Sequence, residues 1–217
     1  MNFSDFFLVR YAPEILQETF THLLLVGISI GIAILISIPL GILITRQAKL
    51  RQPILGIANV LQTIPSLALF GFLISVPLIG GIGARTAIIA LTLYSFLPII
   101  RNTYTGITGI DPAIREAGRG MGMTDQQLLF QVEIPLALST ILAGVRVATV
   151  IAIGIATIAA AIGAGGLGVF VFRGIAMVNN QLILAGAIPA AVLAILADWG
   201  ISWLEHRLTR RGEKREK

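Results

Sequence analysis

The chain has 217 residues, 56% of them hydrophobic, and a mean hydropathy of +0.89. Only 12% are charged, against roughly 25% in soluble domains, which is too few to solvate a globular surface and points to one membrane domain. The net charge of +5 lies between and after apolar runs with no continuous basic face, which argues against nucleic-acid binding; the absence of cysteine excludes disulfides and thiolate metal sites.

The first nineteen residues carry Asp5, Glu14 and Glu18 and no basic stretch ahead of an apolar core, so they do not read as a secretory signal. Phe3, Phe6, Phe7, Leu8, Tyr11, Ile15 and Leu16, mixed with polar residues, fit a short helix on the membrane surface. A hydrocarbon core about 30 Å thick takes roughly 20 apolar residues as a helix. Residues 23–44 are uncharged and give the first span. Arg46, Lys49, Arg51 and Pro53 form the loop that follows. Residues 54–79 give a second span that contains Gln62, Thr63, Pro65 and Ser66 and is expected to be interrupted. Such irregularity is tolerated at membrane depth only when buried in protein or facing a water-filled path.

Gly80, Gly81 and Gly83 make the next loop, ending at Arg85. The third span covers 86–105, with Arg101 and Asn102 near its end. A polar segment at 109–133 follows. The fourth span runs from Pro135 to about 162, and the glycine cluster at 163–168 reads as a tight turn. Residues 169–182 are mixed, with Arg173, Asn179 and Asn180. The fifth span covers 183–204 and carries Asp198 near its end, ahead of a basic tail. The chain therefore reads as an all-α membrane protein with five transmembrane helices. A sixth span at 164–180 is opposed by Arg173 and the glycines. Three regions result: an interfacial segment at 1–19, the membrane domain at 20–206 and a basic tail at 207–217.

Orientation follows from the distribution of lysine and arginine. With the C-terminus in the cytoplasm and the N-terminus outside, the inner segments hold Arg46, Lys49, Arg51, Arg115, Arg119, Arg207, Arg210, Arg211, Lys214, Arg215 and Lys217. The outer ones hold Arg10, Arg85 and Arg173. This places the loop 109–135 in the cytoplasm. In that loop, Asp111-Pro112 reads as a helix start with Asp as cap and Pro at the first position. Thr124-Asp125-Gln126-Gln127 reads as a capping box. Two short helices joined by a glycine turn at Gly122 are expected, a surface suited to docking a partner.

The loop sequence is Glu116-Ala117-Gly118-Arg119-Gly120-Met121-Gly122, nine residues, then Val132-Glu133-Ile134-Pro135. It resembles the "EAA" loop of binding-protein-dependent ABC importer permeases, with Gly118 in place of the second Ala and Ile134 in place of Leu. Three further stretches are similar to the osmoprotectant branch of these permeases, which imports glycine betaine, carnitine or choline. They are Leu61-Gln62-Thr63-Ile64-Pro65-Ser66-Leu67-Ala68-Leu69, the run from Tyr94 to Gly106 containing Tyr94-Ser95-Phe96-Leu97-Pro98, and Ile162-Gly163-Ala164-Gly165-Gly166-Leu167-Gly168. The resemblance covers residues 23–208. It implies the type I importer permease fold in the plasma (inner) membrane, with cytoplasmic ABC ATPase subunits, an extracytoplasmic substrate-binding protein and a second permease copy or paralogue as partners. It also implies that Glu116, Ala117, Gly118, Gly122, Ile134 and Pro135 form the coupling loop to the ATPase. Gln62, Thr63, Pro65, Tyr94 and Arg101 are the candidate translocation path.

No catalytic residue, metal ligand or cofactor is expected. The 163–168 stretch satisfies G-x-G-x-x-G but follows a membrane span, not a strand, so a turn is the better reading. No P-loop sequence occurs, so ATP hydrolysis falls to a separate chain. His22 and His206 have no ligand spacing and read as interfacial polar residues. Arg101, Arg146 and Asp198 are costly at membrane depth; snorkelling to the inner interface is the simpler account, a polar path or interhelical ion pair the alternative. Tyr94, Phe96 and Tyr104 suit either a cation's path or helix packing. Small residues around Gly154, with Ala152, Ala156 and 159–163, allow close helix approach, internal or between subunits. Competing functions are a permease of the same class carrying an amino acid-like solute, an autonomous secondary transporter, and a membrane enzyme. The last two are opposed by the small size, the lack of a mid-membrane carboxylate cluster and the lack of a nucleophile constellation.

Overall fold

The computed structural model describes residues 11–77 and 80–213, with side chains to residue 208. Four unbroken helical stretches are long and apolar enough to cross a bilayer: Ala12–Arg46, Ala84–Thr108, Asp125–Ile162 and Asn180–Leu208. Where a crossing is expected at 54–79 there is a bent pair, α2 (Ala48–Thr63) and α3 (Ser66–Ile74), which turn through 99° and make a fifth span only if the two are counted as one. The bend has a local cause. Ile64 precedes a proline and is held extended at φ −66°, ψ 129°, and Pro65 itself stands at ψ 133°.

The first helix, α1 (Ala12–Arg46), opens with proline in its first turn beside Glu14 and closes on Arg46, an arrangement that suits the helix dipole at both ends. It is longer than the run of residues 23–44 by a full three turns at its start. Residues 12–19 thus continue the first span without a break, and the expected boundary at 19 is not an element boundary; residues 1–10 lie outside the described residues. Next come α4 (Ala84–Thr108) and two short helices in the loop, α5 (Pro112–Gly120) and α6 (Asp125–Leu128). A π-helical turn at Leu129–Glu133 leads into α7 (Ile134–Ala159), and then α8 (Gly168–Ala176) and α9 (Asn180–Glu213) follow. At nine residues, α8 is too short for the sixth span weighed above, because a crossing takes roughly 20 residues.

α4 sits at the centre, packed between α1 and α7, and α9 covers the far side of α7. Ala87, Ala90, Leu91 and Ile99 of α4 meet Ala33 of α1 and Ala148, Ala152 and Ala156 of α7, all fully buried. Small side chains let these backbones approach where lipid offers no hydrophobic drive of its own. A close crossing lies at Gly144, where a Cβ would stand 2.5 Å from Asn102 Cβ and 2.8 Å from the Pro98 carbonyl oxygen. Gly154, by contrast, is exposed with open space around it. The small-residue pattern is therefore an internal contact through its alanines, and its glycine faces outward.

Several polar side chains inside the bundle bond to the backbone, while the buried hydroxyls of Ser37 and Thr103 have no hydrogen-bond partner. Ser29 Oγ donates to the Leu25 carbonyl at 2.7 Å, and Thr92 Oγ1 to that of Ile88 at 2.7 Å. His22 is fully buried, not interfacial as its sequence context suggests. Its Nε2 is 3.1 Å from the Ile153 carbonyl oxygen and its Nδ1 accepts the Leu167 N–H at 3.4 Å, so a neutral ring with its proton on Nε2 satisfies both. Glu18 accepts the Gly166 N–H at 2.6 Å, and Glu14 pairs with Arg173 at 2.9 Å. One stripe of α1 thus laces down the turn at 163–167 and the start of α8. Arg146 and Asp198 do not simply snorkel apart; they face each other across α7 and α9, Nε to Oδ1 3.7 Å. Both remain part-exposed, so the contribution is of the order of 1 kcal/mol or less.

Candidate functional site

Two sets of residues stand out, one at the helix break and one on the loop 109–135. At the break, α2 ends with carbonyls that have no helical partner. The Tyr94 hydroxyl of α4 donates to the Ile64 carbonyl, and Gln62 Nε2 donates to the Tyr94 carbonyl at 3.4 Å. Tyr94 is buried. It is a strut for the broken helix, not an open aromatic wall. Thr63 and Pro65 are exposed beside it, and Thr63 Oγ1 bonds back to the Val60 carbonyl at 2.8 Å. Gln62, Thr63, Pro65 and Tyr94 therefore form one cluster. Arg101 does not join it. It lies about two turns further along α4, exposed on a groove with Arg51, Gln52 and Asn59. Tyr94→Phe should leave the Ile64 carbonyl without its partner at a cost of about 1–3 kcal/mol. The check is the thermal unfolding midpoint of the purified protein in detergent, expected to fall while expression is kept.

The loop follows its capping signals closely. Asp111 caps α5 by accepting the Ala113 N–H at 2.9 Å, with Pro112 at the first position. Thr124 and Gln127 form the reciprocal capping box of α6, at 3.3 and 2.9 Å. Gly122 makes the turn between them at φ +81°, a left-handed conformation that only glycine adopts without cost. One expectation is corrected. The second loop helix is not a separate short helix, because the π-helical turn joins α6 to α7 without a gap. Loop and span are one rod from Asp125 to Ile162.

Glu116 and Ala117 are exposed on α5, as are Ile114, Met121, Phe130 and Pro135 around the tip. Gly118 is buried instead, against Leu128 Cδ1, to which a Cβ would come within 2.7 Å. Its departure from the alanine of the motif is thus a packing matter. Leu128 is fully buried and clamps α5 onto the rod. Ile134 is part-buried at the start of α7.

The sequence reading missed Glu133. Its side chain has no exposure at all. Both its oxygens face Arg46, the last residue of α1, with Arg46 Nη1 to Oε1 at 3.3 Å and Nη2 paired with Oε2. Arg115 of α5 brings Nε to 3.0 Å from Oε1, an ion pair whose N–H is not aimed as a hydrogen bond. The Arg115 guanidinium also donates to the Ile107 carbonyl near the end of α4. A lone glutamate before Ile-Pro carried a faint signal, since a carboxylate on an apolar run needs a partner.

Residues 37–210 match the family described as binding-protein-dependent transport system inner membrane component. The chain is 50% identical over 208 residues to the osmoprotectant import permease protein OsmW of Salmonella typhimurium, covering 95% of this chain and 97% of that one. It is also 50% identical over 196 residues to the glycine betaine/carnitine/choline transport system permease protein OpuCD of Bacillus subtilis, covering 90% and 84%. Among solved structures, an inward-facing conformation of the MetNI methionine ABC transporter superposes with a TM-score of 0.81 at 24% identity, over 90% of this chain and 96% of that one. At that identity the likeness concerns the fold alone.

Proposed function

Because the chain belongs to the family of binding-protein-dependent transport system inner membrane components, a multi-pass permease subunit of an ABC importer, we propose that it carries a small osmoprotectant across the membrane. Glycine betaine, carnitine and choline, the solutes in the names of its relatives, share a quaternary ammonium group. The observation that carries this reading is the near-full-length identity to permeases of that solute class. The energy comes from a separate ATPase. The exposed face of α5, with Glu116, Ala117, Met121 and the Gly122 turn, suits the groove of such a partner, and Gly118, Ile134 and Pro135 set that face on the rod. The basic residues of the loop and tail put this face in the cytoplasm and the N-terminus outside. A binding protein on the outer side delivers the solute, and a second permease copy or paralogue completes the pathway.

In this reading the cluster at Gln62, Thr63, Pro65 and Tyr94 borders the path, because an irregular backbone belongs beside a polar route, and Arg101 marks its inner mouth. ATP binding drives the switch only through its different affinity for the two states of the assembly. The test is uptake by vesicles reconstituted with the permease, its ATPase and its binding protein. Labelled choline and glycine betaine should enter only with internal or external ATP on the ATPase side, and each should compete with the other. Uptake that follows an ion gradient without ATP would overturn the permease assignment. ATP-driven uptake of an amino acid, uncontested by either solute, would overturn the solute class.

A further inference from the structure

Four separate elements meet at Glu133, and no other buried carboxylate occurs among the described residues. Arg46 ends α1, Arg115 lies mid-way along α5, the Ile107 carbonyl lies one residue from the end of α4, and Glu133 itself closes the π-helical turn ahead of α7. The exposure is graded. The Glu133 side chain is 0% exposed, that of Arg115 24% and that of Arg46 37%. The anion is thus sealed, while its two cations reach out from it toward the loop surface. Separating a sealed carboxylate from its cations strands a charge away from water, which is far more costly than losing a surface pair. The node therefore resists coming apart.

The geometry of the loop makes that resistance useful. α5 touches the rest of the chain through few other ties. Gly118 rests on Leu128, the Met123 N–H donates to the Gly118 carbonyl at 3.1 Å, and Arg119 reaches Asp125 at 3.7 Å between two exposed side chains. The first and third hold α5 to the rod, and the second holds it to the turn that leads into the rod. Beyond the three-residue connection from α4 at 109–111, Arg115 links it onward, to α4 through the Ile107 carbonyl and to α1 through the shared carboxylate. π-turns recur at functional sites in helices, and here the turn places Glu133 where both arginines reach one carboxylate.

We propose that Glu133 is a positioning residue that, with Arg46 and Arg115, transmits displacement of the loop helix to the first and central spans at once. It touches no solute. It fixes the angle of α5 against three spans, so that a pull on the loop tilts the bundle instead of bending the loop. The proposal rests on the permease reading for its role in transport, but its mechanical part stands apart from that reading and is tested apart from it.

The chain has no cysteine, so a spin-label pair can be placed at Lys49→Cys and Ala113→Cys, both exposed, in the full-length permease in lipid nanodiscs. The expected result is one narrow distance distribution in the parent and a distribution at least twice as broad in Glu133→Gln and in Arg115→Gln. Glu133→Asp, which keeps the charge, should recover most of the sharpness. An unchanged distribution in both glutamine variants overturns the proposal whatever the protein transports. In the second arm the permease is reconstituted with its ATPase and binding protein. The glutamine variants should keep ATP hydrolysis within about two-fold while choline moved per ATP falls at least ten-fold. A merely structural role would lower both together and leave their ratio fixed, and a fixed ratio overturns the transmission role. If the parent itself shows no ATP-driven uptake, the permease reading fails, and the label distances still decide the mechanical claim.

Discussion

Replacing Gly168 with alanine should prevent the chain from closing its turn at 163–167. A methyl group built on Gly168 falls far inside van der Waals contact with the Thr157 carbonyl oxygen and 2.9 Å from Ala160 Cβ. The first obstacle is backbone, held by the final turns of α7, and it cannot rotate aside as a side chain end can. Overpacking a well-filled site costs about 1–3 kcal/mol and occasionally more, and a clash with main chain belongs at the upper end. His22 and Glu18 each have a partner in this turn, and the Glu14–Arg173 pair ties α1 to the helix that follows it, so the loss spreads to the start of α1. The expected outcome is a sharp drop in monodisperse protein recovered in mild detergent. Gly154→Ala is the matched control. Nothing lies within 4 Å of its new methyl group, and alanine is favoured over glycine inside a helix by roughly 0.5–1 kcal/mol. That variant should be recovered at parental yield or better.

The second large effect is at Gly122, and its origin is different. No atom lies within 4 Å of a Cβ there, so the chain itself has room for a side chain. The obstacle is conformational. At φ +81° a β-branched residue is a marked outlier, and the left-handed region costs L-residues about 1–2 kcal/mol. Gly122→Val should therefore unwind the turn between α5 and α6 and displace the face with Glu116 and Ala117. The expected result is at least a ten-fold loss of ATP-driven uptake, with loss of ATPase subunit co-purifying with the permease. Gly122→Asn separates the two causes. Asparagine tolerates the left-handed region while adding similar bulk, so it should keep assembly if conformation is what matters. If asparagine and valine fail equally, the open space at Gly122 is where the partner packs, and bulk is the cause.

The sequence made the spans legible because a bilayer imposes a length and an apolar composition that a short window detects. It made the loop legible too, since Asp111-Pro112 and Thr124 to Gln127 are local signals with local partners. What it hid depends on contacts between residues distant along the chain. His22 reads as interfacial in the sequence because nothing near it reveals a fully buried pocket. Its partners are Ile153 and Leu167, 131 and 145 positions away. Glu133 carries little local signal for the same reason, with Arg46 lying 87 positions back. Pro65 announced a break at the second span, but only the extended backbone at Ile64 and Pro65 together turns the chain through 99°. Gly154 drew attention as the centre of a small-residue pattern. Composition could not tell which side of the helix faced inward, and it is the neighbouring alanines that are buried.

The central position of α4 has a consequence for how this protein is made. Of the four unbroken membrane-length helices it is the least apolar and the most deeply buried, with Thr86, Thr92, Ser95 and Thr103 all enclosed by its neighbours. A segment of that composition gains little from lipid tails, even though Thr92 and Ser95 bond to carbonyls one turn back in α4 itself. α1 has left the ribosome before it, but α7, which covers its other side, is synthesised afterwards. During translation α4 must therefore wait, half-covered against α1, until α7 emerges. Its residence in the membrane is settled by the arrival of a later helix and not by its own hydrophobicity.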